Sequence, residues 1–147
     1  PESAVAPAWE AVLRRLVPGG LFVDGTADEI GRLASWVALA PAGPSSLTLS
    51  WRLAGLERPG VIAERLPKVL IHRNVPGEPI HALLRDLDQA WLRAAHASSF
   101  GVRQRFLAMT EEVRAAGWPV LDGPSRWRLG ELSVPWTAVA PVDYQGP

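Results

Sequence analysis

Apolar residues first recur at one-face helical spacing: Trp9, Val12, Leu13 and Leu16 follow Pro7, whose missing N–H costs little in a first helical turn. Pro18-Gly19-Gly20 stops that helix. Leu21-Phe22-Val23 is a continuous apolar run that leaves through Asp24-Gly25-Thr26, which predicts a buried strand over Leu21 to Asp24 with a polar exit. Leu33 to Leu39 is apolar on both faces. Leu47, Leu49, Trp51 and Leu53 then alternate with Thr48, Ser50 and Arg52, the clearest half-buried strand in the chain. The pattern pairs Leu47 to Leu53 with Leu33 to Leu39 or with the Trp127 to Val139 region. Between the first two runs Pro41, Gly43 and Pro44 mark a hairpin loop over Ala40 to Ser46.

From Glu57 to Pro79 four prolines divide the chain into short pieces, with a short helix predicted near Gly60 to Leu66, while Lys68 to Val75 fits neither period. Pro79 heads a strongly amphipathic helix whose stripe is Ile80, Leu83, Leu84, Leu87, Trp91 and Ala95. A second helix runs from about Val102, with Phe106, Met109 and Val113 inward and Gly117 as its stop. Near the end Trp127 and Leu129 share one alternation, and Leu132, Val134 and Trp136 share the other. A one-residue shift at Gly130 predicts a bulge or tight bend, and Pro135 places the last strand at a sheet edge or breaks it there.

Composition narrows the chemistry. At 147 residues with 48% apolar and 20% charged residues, the chain fits one unit with a real core. No cysteine is present, which excludes disulfides, thiolate metal sites and cysteine nucleophiles. Fifteen basic residues balance fifteen acidic ones, so nothing in the overall charge indicates nucleic acid or an anionic membrane. No stretch reaches the length of a membrane-spanning helix and no secretion signal is visible, so a cytoplasmic location is expected.

Three segments carry a resemblance. They are Leu16 to Val23 together with Asp24-Gly25-Thr26-Ala27-Asp28-Glu29-Ile30-Gly31-Arg32; Leu66-Pro67-Lys68-Val69-Leu70-Ile71-His72-Arg73-Asn74-Val75-Pro76-Gly77-Glu78-Pro79; and Trp127-Arg128-Leu129-Gly130-Glu131-Leu132. With these the chain resembles, over nearly its whole length, the C-terminal half of an actinobacterial-type group of class I S-adenosylmethionine-dependent methyltransferases. The resemblance implies an α/β unit over 1–147, the C-terminal half of a Rossmann-like fold. Its mixed sheet would end in antiparallel strands, with an inserted helical pair over about 57–117. It implies S-adenosylmethionine as cofactor of the intact protein and none for this chain alone. The glycine-rich loop and acidic residue that hold the cofactor in such folds follow the first strands, and that unit has no counterpart here. The implied partner is the N-terminal half of the same protein, or a second copy joined through an exposed sheet edge.

Asp24, Thr26, Asp28, Glu29 and Arg32 cluster where the first strand ends, a usual place for α/β sites. The resemblance makes them acceptor contacts, with Asp28 or Glu29 removing or orienting a proton. Turn chemistry accounts for the same residue types, since Asp caps turns and Gly25 and Gly31 supply special dihedrals. His72, Arg73 and Asn74 offer donors for an anionic or amide-bearing acceptor, although a histidine beside Val69-Leu70-Ile71 is as readily structural. His72, His81 and His96 lack the spacing of a metal site. The rival function is a non-catalytic, degenerate methyltransferase-like module that binds protein or RNA.

Overall fold

The computed structural model describes residues 1–16, 22–28, 31–121 and 123–147. Pro18-Gly19-Gly20, Leu21, Glu29 and Ile30 lie outside them. Helix α1 (Val5–Leu13) carries Pro7 at its third position, where an N–H would have no intrahelical partner. Strands β1 (Phe22–Ala27), β2 (Leu33–Ala40) and β3 (Gly43–Trp51) follow, and a long helical excursion separates them from β4 (Glu131–Pro135). The excursion holds a 3-10 segment at Pro59–Arg65, α2 (Pro79–Arg93), a second 3-10 segment at Ala94–Phe100, α3 (Val102–Ala115) and the one-turn α4 (Pro124–Trp127).

The sheet order is β1-β2-β3-β4, and every neighbouring pair is antiparallel. The sequence had pointed to a mixed sheet. Short connections account for the difference: residues 28–32 join β1 to β2 and only Pro41 and Ala42 join β2 to β3, whereas a parallel pair needs a crossover of about a dozen residues. Leu47 to Trp51 of β3 pair with β2, and Ser46 to Ser50 also pair with β4, so both pairings read from the sequence occur together.

Alternation sorts the side chains into two faces. Leu49 lies between Ser35 and Leu132, and Leu47 between Val37 and Val134, forming an inner face on which these residues are fully buried. On the outer face Trp36, Thr48 and Ser133 stand in a row, and the Thr48 and Ser133 hydroxyls meet at 2.6 Å. Strand β1 departs from the buried strand read from the sequence: it runs on to Ala27, and Val23 is 48% exposed. Gly25 keeps the outer face flat there, because a side chain would run into the Trp36 Cβ and the Ser35 carbonyl.

Two further departures have local causes. The loop expected over Ala40 to Ser46 is a tight turn followed by a bulge, since Ala38 pairs with Ser46 and Leu39 with Pro44, leaving Ser45 extra on β3. The bulge accommodates Pro44, which has no N–H for the ladder. Trp127 belongs to a helical turn opened by Pro124 rather than to a strand, and Gly130 makes the bend at φ +83°. Pro135 does end an edge strand, as its missing donor requires.

The helices match their periodicities except at Ala95, which lies beyond the end of α2 in the 3-10 segment and is exposed. Ile80, Leu83, Leu84, Leu87 and Trp91 of α2 are buried, as are Phe106, Met109 and Val113 of α3. Arg105 of α3 donates to the Trp91 carbonyl at 2.8 and 3.0 Å and lies 4.0 Å above the Trp91 ring, a cation–π contact that holds the pair together. No helix among the described residues is long and apolar enough to cross a membrane.

Gly130 carries two separate constraints, its positive φ and the proximity of the Trp51 carbonyl, into which a Cβ would collide. Gly55, at φ +77°, has open space around it. Gly55→Ala is therefore expected to lose only the about 1–2 kcal/mol of a left-handed residue, and Gly130→Ala clearly more. Urea unfolding of the two variants checks the order, and equal midpoints would contradict the close approach.

Candidate functional site

Pairing decides where the residues of the first cluster point. Asp24 stands opposite Val37 and Thr26 opposite Ser35, so both side chains fall on the inner face. An inward carboxylate needs a donor, and Asp24 accepts the indole N–H of Trp9 at 2.8 Å. Thr26 donates to the Arg65 carbonyl at 2.9 Å, and Ser35 donates to the same oxygen. These hydroxyls tie the 3-10 segment to the sheet.

Asp28 closes the β1–β2 connection. Its Oδ1 accepts the N–H groups of Arg32 at 2.6 Å and Leu33 at 3.2 Å, and the Arg32 guanidinium stands 3.7 Å from Oδ2. Burial pushes the Asp28 carboxyl up, but those two N–H groups and the charge of Arg32 outweigh it and hold it below the usual 3.8. A carboxylate so engaged is a weak base and a good turn cap. Arg32 is exposed, and Glu29 lies outside the described residues.

The second cluster divides. Arg73 is surrounded by three carboxylates: Glu2 at 2.7 and 2.9 Å, Asp143 at 2.8 Å and Glu78 at 3.3 Å. The hydrogen bonds it donates to Glu2 and Asp143 raise its pKa further. The buried Glu78 also accepts the Val142 N–H at 3.1 Å, so this hub joins the N-terminal turn, the start of α2 and the C-terminal segment. His72 is exposed to solvent. Asn74 lines a cleft between the Pro59–Arg65 segment and α2, and Arg73 lines a separate one beside Tyr144. Among the described residues the hydrogen bonds of the two clusters share no residue.

That cleft gathers residues the sequence reading passed over as site candidates: Arg58, His81, Arg85 and Asp88. Their signal was present, since His81, Arg85 and Asp88 recur at i, i+4 and i+7 beside the apolar stripe of α2. Among the described residues no three His, Asp or Glu side chains are grouped to hold a metal ion. Nor do the described residues fit S-adenosylmethionine. In the class I fold that the sequence resembles, the cofactor lies on a glycine-rich loop between a strand and a helix, and the element that follows β1 here is the strand β2. Comparison with family models, curated proteins and solved structures finds no match to this chain.

Two expectations follow. With its folded pKa below its unfolded one, Asp28 contributes stability above about pH 4 and loses it as pH falls through the folded value. The gap in unfolding midpoint between wild type and Asp28→Asn should thus be open at pH 7 and close on acidification; a gap constant to pH 2 would show that the charge plays no part. Arg73→Gln should speed amide hydrogen exchange at Ala4, Val142 and Tyr144 together, and acceleration at one terminus only would contradict the shared hub.

Proposed function

We propose that this chain is the acceptor-side portion of a larger S-adenosylmethionine-dependent methyltransferase, with the cofactor held by residues outside it. The observation that carries the reading is the margin of the sheet. Strand β1 comes first in the strand order, and its outer edge has no partner strand among the described residues. An exposed edge with a half-exposed Val23, and without the lysine or proline that usually blunts such edges, favours pairing with a further strand. In the resemblance that neighbour belongs to the cofactor-binding half. Asp24 to Asp28, part of one of the segments that carry the resemblance, stand on this same margin.

In this reading Asp28 and Arg32 shape and charge the rim over which an acceptor would approach. The lowered pKa of Asp28 fits orientation of the acceptor better than proton removal. The acceptor-side residues then serve by positioning a nucleophile, a contribution that rests on geometry rather than on bond-making groups. A non-catalytic module for protein or RNA is the second reading, favoured by the full use of the Asp28 carboxylate as a turn cap. A second copy pairing through the β1 edge would satisfy the same unpaired strand.

Titration calorimetry with S-adenosylmethionine separates these readings. We expect no binding by the 147-residue chain and saturable micromolar binding by the longer protein containing it. Saturable binding by this chain alone would sink the proposed division of labour. No binding by either would leave the non-catalytic module.

A further inference from the structure

Helix α2 has a second stripe beside its buried one. His81, Arg85 and Asp88 face the Pro59–Arg65 segment across a cleft of about 360 Å3, within the range of small-molecule sites. We infer that this cleft binds a small monocarboxylate with an apolar body, its head held by Arg85 with Asn74 and His81. The inference is independent of the methyl-transfer reading.

The charges in the cleft select the ligand. Asp88 is already matched: one oxygen accepts Arg58 Nη1 at 2.8 Å and the other accepts the Gly60 N–H at 2.7 Å. A side chain at position 60 would run into that carboxylate, so the glycine is what lets the three groups meet. With Asp88 neutralised, the polar groups left are mostly donors. Among the described residues, the side chains of Asn74, His81 and Gln89 make no hydrogen bond to the protein, whereas Arg58 and Asp88 do. Arg85 gives only its Nε, to Asp86 at 3.2 Å, an exposed pair of small worth. Its two terminal nitrogens remain as a planar fork suited to a carboxylate. One spare guanidinium matches a singly charged anion better than a phosphate dianion.

The rest of the wall is apolar. Ala63 and the buried Leu84 line the cleft, and Leu92, 70% exposed, stands at its open end. A hydrocarbon or aromatic body laid along them would remove apolar surface from water while its head met the donors. On the other side of His81 and Arg85 a second cleft of about 340 Å3 lacks the Asn74 amide and the Leu84 and Leu92 wall. The Asn74 side is therefore the one that fits.

The test is a proton–nitrogen NMR titration of the 147-residue chain with sodium phenylacetate, and in parallel with inorganic phosphate and with 2-phenylethanol as the neutral analogue. The expected result is saturable shifts at the amides of Gly60, His81, Arg85 and Gln89, with phosphate and 2-phenylethanol at least about tenfold weaker. Arg85→Gln should weaken phenylacetate at least about tenfold, the loss of a charge-assisted pair, and Asn74→Ala should weaken it by a smaller factor. Arg85 is exposed, so its variant should keep the wild-type unfolding midpoint; were it to misfold, Asn74→Ala carries the test. Non-saturable shifts, shifts scattered over the surface arginines, or undiminished binding by the variants would overturn the site. Phosphate binding as tightly as phenylacetate would overturn the monocarboxylate assignment.

Discussion

Trp51 joins the sheet to everything laid over it. Its backbone N–H donates to the Gly130 carbonyl at 2.9 Å, its indole N–H donates to the Pro59 carbonyl at 2.9 Å, and its ring meets Phe106 of α3 edge to face at 5.5 Å. The first bond closes the stem of a long excursion: the chain leaves the end of β3 and must return beside the same strand as β4. Closing so long a loop costs only slightly more than closing a short one, because the entropy grows with the logarithm of length. The helices fill that loop, and the inner face of the sheet supplies the surface they cover. Each needs the other, since a sheet with one apolar face and a helix with one apolar stripe are stable only when packed.

Most polar groups buried on either face of the sheet are paired by the same requirement, the indole N–H groups of Trp127 and Trp136 being buried without a partner among the described residues. Asp24 with Trp9, Thr26 and Ser35 with Arg65, and Thr48 with Ser133 each satisfy a group that would be costly to bury alone. Arg73 does the same for three carboxylates at the junction of both chain ends. Residue types that look chemical in a sequence thus serve here as joints. On the second stripe of α2, by contrast, His81, Arg85 and Gln89 keep donors that no core contact claims.

Much of the fold was legible because its periods are clean. The β3 alternation, the α2 and α3 stripes and the edge position implied by Pro135 all occur in the structure. Strand β1 was harder for a physical reason: its inward positions include Asp24 and Thr26, so the apolar alternation that marks a one-sided strand is absent from its sequence. The partners of those residues, Trp9 and Arg65, lie 15 and 39 residues away, and no local pattern announces such bonds. Trp127 misled differently, because a tryptophan two residues before Leu129 mimics a strand while Pro124 starts a helical turn. For the site, Asp28 reads in the sequence as a candidate to remove or orient a proton and Arg73 as an acceptor contact, and the sequence does not reveal that both carry joints of the fold: which charges are already paired emerges only when Glu2, Glu78 and Asp143 converge in space.

The Pro59–Arg65 segment connects the two surfaces for which a function is proposed. At one end the Arg65 carbonyl accepts from Thr26 of β1 and from Ser35 of β2. At the other the Pro59 carbonyl accepts from Trp51, and the Gly60 N–H donates to Asp88 of α2. Pro59 fixes its first φ, Gly60 and Ile62 are fully packed, and its seven residues leave little freedom between those anchors. A strand that paired with the open edge of β1 would therefore sit one hydrogen bond, that of Thr26, from the segment that walls the α2 cleft. The sheet margin and the cleft are parts of one packed body, so the geometry of either surface constrains the other.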